Sequence, residues 1–331
     1  MKNETRLAFD RYCAQVAHLN GISDPSKKFA VAPSVEQKLE KRVQESSDFL
    51  QRINIVPVDQ QIGEVLGLGT SGPIASRTDT SANSRIPRDI SDTGSREYHC
   101  AKTDFDSSIG YNKIDMWAKF PNFQSLMRDN VVEQIARDRL MIGWNGESRA
   151  ANTDLVANPL LQDVNVGWLQ KLRNDAPERV VPGAKISDTL AGAEYKNIDA
   201  AVLDSIDLLD PWFQDSSDLV CICGRSLVTD KYVALANDND KPTEKQALNT
   251  MLLNKQIGAK RTIMVPYFPA SSFLVTPLEN LSIYWQSGTR RRTIVDRAER
   301  DRIEDFQSVN EDYVIEDLGA CAFFDGIVNS W

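Results

Sequence analysis

Apolar residues recur at helical spacing along some stretches of the chain and alternate with polar ones along others. Ala8, Tyr12, Val16 and Leu19 follow at intervals of four, four and three, which predicts a helix over residues 4–19. Asn20-Gly21 supplies a stop signal, and Ser23 to Lys28 reads as an exposed linker. The segment therefore reads as a separate helical unit on a cleavable or flexible tether, the alternative being a helix docked on the main body. Val35, Leu39 and Val43 predict a second helix over 34–53, with Ser34 as its cap after Pro33. Strands are expected at Ile53–Val58 and Ile62–Gly67.

Residues 70–97 break this rhythm. Ten of these 28 residues are Ser or Thr, and Ile74, Ile86 and Ile90 are their large apolar members. Such a stretch supplies little core of its own. With a strand-like return from Arg96 to Ile114, it reads as a long two-stranded arm with a polar tip, packed on something else. Phe123, Met127, Val131 and Ile135, widened by Leu126 and Leu140, predict a long helix over 122–144. Pro121 precedes it and Gly146 follows it. Residues 145–160 are irregular, and the segment around Trp168 is helical.

From Asn197 onward strands and helices mix. A helix is expected at 197–209, a buried strand at Leu219–Cys223, and helical segments at 225–236 and 243–256. Strand-like runs follow at Ile263–Val265, Phe273–Val275 and Leu281–Trp285. Residues 290–328 read as two or three strands. Their nine acidic residues from Asp296 to Asp317 are expected on a solvated or subunit-facing sheet surface.

The chain has 331 residues with 38 Lys plus Arg against 47 Asp plus Glu, a net charge of -9. That argues against a dedicated DNA-binding surface, which needs clustered cations. The charge is uneven: residues 1–29 hold five basic and three acidic residues. No apolar run approaches a membrane span of roughly 18 residues, and the first residues lack the apolar core of a signal peptide, so the chain reads as cytoplasmic. The five cysteines show no disulfide framework and read as reduced, packed thiols. In Cys221-Ile222-Cys223 successive side chains alternate between faces.

Candidate chemistry is sparse. Gly67-Leu68-Gly69-Thr70-Ser71-Gly72 matches the dinucleotide pattern, but Pro73 and a polar stretch follow where a helix must open onto the pyrophosphate. A glycine turn at the base of the arm accounts for it better. Asp238-Asn239-Asp240 lacks the Gly and Glu of a calcium loop. His18 and His99 have no nucleophile or zinc-type spacing nearby and read as structural. Arg290-Arg291-Arg292 is expected to pair with acidic residues of its own region or of a neighbouring subunit rather than with phosphates. No catalytic, cofactor-binding or metal-ligating residue is assigned. The organisation favours an assembling structural protein.

Blocks along the chain resemble the major capsid proteins of P2-like tailed phages. The longest runs from Asn158-Pro159-Leu160-Leu161-Gln162-Asp163 through Val164-Asn165-Val166-Gly167-Trp168-Leu169-Gln170-Lys171. Others are Gln44–Leu50, Ile53–Val58, Val265–Pro269, Leu278–Tyr284 and Asn310–Val314, with Glu4-Thr5-Arg6, Asn20-Gly21-Ile22 and Ser26–Phe29 near the start. They are collinear from residue 4 to about 317.

The resemblance implies an α+β, HK97-type capsid fold. It implies an N-terminal scaffolding segment (1–29) removed by cleavage near Phe29 and Ala30, an N-arm (30–58) and an E-loop (59–118). A P-domain with a long spine helix (119–195), an A-domain (196–289) and P-domain return strands (290–331) would follow. The connection from Pro177 to Lys196 is shorter than in members of the family. The implied partners are further copies in hexamers and pentamers, a scaffold and maturation protease, a portal protein, and packaged double-stranded DNA bound without sequence specificity. The implied location is the virion capsid, assembled in the bacterial host cytoplasm. Two alternatives remain: a bacterial nanocompartment shell of the same fold, and a nucleotide-dependent enzyme using Gly67–Gly72.

Overall fold

A computed structural model describes residues 1–65, 75–82, 84–87, 96–117, 120, 123–187, 192–229 and 256–329. The first half contains α1 (Asn3–Asn20), β1 (Phe29–Ala30), α2 (Pro33–Glu45), β2 (Asn54–Val58), β3 (Ile62–Glu64), β4 (Glu97–His99), β5 (Ala101–Asp104), β6 (Ser107–Gly110), α3 (Tyr111–Trp117) and α4 (Phe123–Asn145). Then come α5 (Trp168–Asp175), β7 (Val180–Pro182), β8 (Lys185–Ile186), α6 (Ile198–Asp207), α7 (Pro211–Gln214), β9 (Leu219–Cys223), β10 (Gln256–Ile257), β11 (Lys260–Ile263) and β12 (Phe273–Pro277). The chain closes with β13 (Leu281–Gln286), β14 (Arg291–Arg297), β15 (Arg302–Ile315), β16 (Ala322–Asp325) and β17 (Val328–Asn329).

Two sheets carry the fold. The seven-stranded one has the order β1-β14-β15-β13-β2, with β5 and β6 also paired to β15. The six-stranded one has the order β10-β11-β9-β12-β16-β7. Strand β15 is the hub of the first, registering its Ser308 with Arg291 of β14 and its Glu311 with Trp285 of β13. In the second sheet all five residues of β9 are buried. Ile222 joins the core shared with the first sheet, whereas Cys221 and Cys223 enter a second core with Ala201 and Val202 of α6. A strand covered on both faces reads as an unbroken apolar run.

The shared core is held by aromatic rings. Trp168 lies 4.9 Å from Trp144 and 5.3 Å from Tyr313, centroid to centroid, and its Nε1–H donates to the Ser282 carbonyl at 3.0 Å. Gly143 lets α4 approach this ring: an added Cβ would lie 2.3 Å from Trp168 Cζ3.

The long helix falls where its periodicity placed it, although the side chains of Phe123, Leu126 and Met127 lie outside the described residues. The helix expected over 34–53 stops at Glu45. Ser46 Oγ turns back to the Val43 carbonyl at 2.7 Å, and residues 50–52 form a short 3₁₀ turn that buries Leu50. Its cap is Ala32, with Pro33 opening the helix, rather than Ser34. Ile114 belongs to α3, not to an arm strand, because the chain turns after Gly110 to bury Tyr111 and Ile114 against α1. The C-terminal region contains four strands, β14 to β17. Residues 225–229 are helical, and the rest of 225–236, with nearly all of 243–256, lies outside the described residues. No described helix is long and apolar enough to cross a membrane.

Candidate functional site: the amino-terminal junction

Helix α1 buries Thr5, Phe9, Tyr12 and Val16, a face spaced four, three and four. Leu19, placed on that face by the sequence reading, is 52% exposed, and Phe9 takes its place. Gly21 ends the helix in the left-handed region at φ 63°, and the Ile22 N–H closes on the Ala17 carbonyl at 3.0 Å. The helix is docked on the body rather than free on a tether. Phe9, Tyr12, Val16, Phe29 and Val31 pack with Tyr111, Ile114, Ile294 and Ile303 in one cluster.

Polar contacts frame that bed. Arg6 pairs with Asp296 at 2.9 Å, and the Tyr111 hydroxyl donates to the same carboxylate. Arg292 donates to the Tyr12 oxygen at 2.7 Å and to both Asp305 oxygens at 2.9 and 2.6 Å. The Lys2 N–H reaches Asp115 at 3.0 Å, and the Ala32 N–H reaches the Asn20 side chain at 3.0 Å. Burial pushes the Tyr12 hydroxyl above its usual range. Burial, then the bond to Asp296, pushes Tyr111 up to about 12. The carboxylate of Asp305 keeps the Arg292 guanidinium charged against the desolvation it suffers there.

The two residues singled out for processing sit at this junction. Phe29 pairs with Arg292 and Ala30 with Arg291 in the β1–β14 ladder. Phe29 is 8% exposed, whereas Ala30, Lys27 and Lys28 are exposed. The arginine triplet is thereby explained. Arg292 pairs with Asp305 of its own region, Arg290 reaches back to Glu40 of α2, and Arg291 donates to the Gly288 carbonyl at 2.7 Å.

A second charged group, missed from the sequence, lies in the shared core. Fully buried Arg139 of α4 donates to Glu40 at 2.7 Å and to Glu311 of β15 at 2.8 Å. Tyr313 donates to Glu311 at 3.3 Å. Two arginines hold the Glu40 carboxyl below its usual value against the desolvation that opposes them. Burial dominates at Glu311 and pushes it up. Asp312 is also fully buried, taking Lys171 at 2.7 Å, Arg149 at 3.0 Å and the His99 N–H at 2.9 Å. Glu311 and Asp312 therefore depart from the expected acidic surface, because charged partners from α4, α5 and the 145–167 segment meet them inside.

His99 serves this network, its Nδ1 lying 3.1 Å from Arg149. None of the five cysteines is in a disulfide, and burial pushes Cys13 and Cys100 up to about 12 and Cys321 up to about 11. Gly67–Gly72 and Asp238-Asn239-Asp240 lie outside the described residues. Among the described residues no group of three or more His, Cys, Asp or Glu side chains could hold a metal ion.

Residues 8–327 match the family described as phage major capsid protein, P2 family. The chain is 44% identical to the capsid proteins of Escherichia phage P2, over 97% of this chain and 93% of that one. It is 39% identical to the major capsid protein of Serratia phage KSP20, over 99% and 97%. Among solved structures, a chain of the satellite phage P4 procapsid including size determination (Sid) protein superposes with a TM-score of 0.82 and 40% identity, covering 100% of this chain and 99% of that one.

Proposed function

The chain belongs to the P2 family of phage major capsid proteins, and on that premise we propose how it builds and matures its shell. It is a major capsid protein of a tailed phage, with the HK97-type fold. Copies close as hexamers and pentamers into an icosahedral shell around the double-stranded DNA genome of the phage or prophage. Closed five- and six-membered rings of one chain need two different, mutually complementary surfaces that meet head to tail, which suits a subunit rich in extended strands and arms. The observation that carries this reading is the end-to-end match to a procapsid chain.

The finer roles follow the same reading. Residues 1–29 act as a scaffolding segment that a maturation protease removes near Phe29-Ala30. Residues 30–58 form the N-arm, 59–118 the E-loop, 119–195 the P-domain with α4 as spine, 196–289 the A-domain and 290–331 the return strands. The sheets cross the last of these limits: β13, before residue 289, shares a sheet with β14 and β15, and β16, after residue 290, shares one with β9 and β12. A portal protein occupies one vertex, and assembly proceeds in the bacterial cytoplasm. The role is structural, with no cofactor. The acidic body limits adhesion to the packaged DNA, and loss of residues 1–29, with five basic and three acidic residues, makes it more acidic.

The test is particle size by light scattering and electron microscopy, with intact mass, for the protein expressed alone and with its scaffold-protease. Shells with a subunit shortened near Phe29 in the second case are expected. A full-length monomer or dimer under both conditions overturns the reading. If the charge argument is wrong, neutralising Lys27 and Lys28 leaves DNA retention unchanged.

A further inference from the structure

The bond between Phe29 and Ala30 lies inside a ladder. Both residues register with β14, the Val31 N–H donates to the Arg290 carbonyl at 3.1 Å, and the Ile294 N–H donates to the Pro25 carbonyl at 2.9 Å. The Phe29 ring is buried beside Phe9 and Tyr12. A protease takes its substrate as an extended strand whose main-chain groups pair with the cleft. Here the β14 edge already occupies those groups, and the bed of α1 occupies the side chain. The folded junction is therefore closed to a cleft, although Lys27 and Lys28 immediately before it are exposed.

We propose that α1 is a latch on the processing junction: the Phe29–Ala30 bond becomes cleavable only when α1 lifts from its bed, and Arg292 couples the two events. Arg292 registers with Phe29, donates to Tyr12 on α1 and is anchored by Asp305 on β15. Lifting the helix takes away the Tyr12 contact together with the Phe9, Tyr12 and Val16 side of the cluster that holds Phe29, so β1 loses support as α1 leaves. The chemistry that follows is redox-neutral hydrolysis by the maturation protease. The bond from the Phe29 carbonyl carbon to the Ala30 nitrogen breaks, one water is consumed, and a carboxylate on Phe29 and an amino group on Ala30 result. The latch deepens the processing reading and rests on it for its biological use.

Trypsin at low dose on the full-length protein probes the latch independently of the maturation protease, because Lys28 adjoins the junction. When reclosing outpaces cutting, the rate follows the population of the open form. Tyr12→Phe deletes a hydrogen bond to a charged group, so release of the 1–28 peptide is expected to rise about tenfold, and Phe9→Ala should raise it further. Cutting after exposed Arg77 and Arg85 should stay unchanged. Hydrogen exchange at the Ile294 amide should accelerate by the same factor, while the amides of β9 keep their protection.

Equal release from wild type and both variants overturns the latch, as does a parallel rise at Arg77 and Arg85, which would signal general loosening. Co-expression with the scaffold-protease separates the latch from the reading beneath it. Shortening near Phe29 that is equally fast in wild type and Tyr12→Phe sustains processing and removes the latch. A chain that stays full length while trypsin behaves as expected removes the processing reading and leaves the latch as a property of the fold.

Discussion

Arg139 and Arg292 each hold oxygen partners on two different elements, but their surroundings differ. Arg139, Glu311 and Glu40 are shut off from solvent, with side-chain exposures of 0%, 0% and 5%. Arg292 and Asp305 keep 18% and 14%, and Arg6 on the outer side of the same bed keeps 49%. A charge pair without access to water cannot exchange its partner for solvent, so breaking it strands a buried charge. A pair at the rim can make that exchange. The inner cluster therefore joins α2, α4 and β15 permanently, whereas the outer one suits a contact that can open.

The sharpest way to break this contrast is to cut the inner cluster. Arg139→Ala should destabilise the body by roughly 3–5 kcal/mol, read by urea unfolding. Within the cluster, Glu40→Gln should lose more than Glu311→Gln, because Glu40 meets two arginines and is held ionised, while burial already raises Glu311. The sign follows by linkage. The contribution of Glu40 is present above the ordinary glutamate range and is lost as pH falls through its lowered folded value. That of Glu311 is present below the ordinary range and is lost as pH rises through its raised value. Equal losses in the two variants would sink the assignment.

Next in size is Gly143→Ala, whose Cβ would collide with the Trp168 ring. Overpacking of about 1–3 kcal/mol is expected, seen as a lower Tm with altered tryptophan fluorescence. Tyr12→Phe should weaken α1 docking yet leave the urea midpoint of the body unchanged; a matching fall in both would merge the two regions into one cooperative unit. Alkali gives a gentler handle. Folded Tyr111 keeps its proton to about 12, against about 10 for a free tyrosine. The folded state thus binds more protons in that window, so docking is at full strength below it and weakens as pH rises through it. Tyrosinate absorbance followed together with Ile294 exchange checks this, and Tyr111→Phe should flatten the profile. The smallest effect belongs to the exposed Lys41–Glu45 pair at 3.8 Å. Lys41→Ala should fall within about 0.5 kcal/mol by thermal unfolding.

Much of the framework was legible because it is local. The spacing of Val131 and Ile135 marked α4, and the apolar run Leu219–Cys223 marked β9. The processing junction rests on resemblance alone, and the docking of α1 beside it was not legible, since the face of α1 turns on Phe9 rather than Leu19 and on partners near residues 111 and 294. The inner cluster was illegible for a physical reason. Charged residues are ordinarily placed on surfaces, and Glu40, Arg139 and Glu311 come together across separations of 99 and 172 residues. Alternation within β15 could not distinguish a solvated Glu from one facing an arginine.

The short connection between Asn20 and Phe29 has a consequence beyond geometry. While intact, it keeps α1 beside its own bed at an effective concentration on the order of millimolar, so docking is indifferent to how dilute the protein is. On the processing reading proposed above, a cut at the Phe29–Ala30 bond would make the same helix a separate peptide, and its rebinding would become second order. In a closed shell in which every subunit released one such peptide, the beds would empty only as fast as the peptides dispersed. Maturation would then reach completion by dilution.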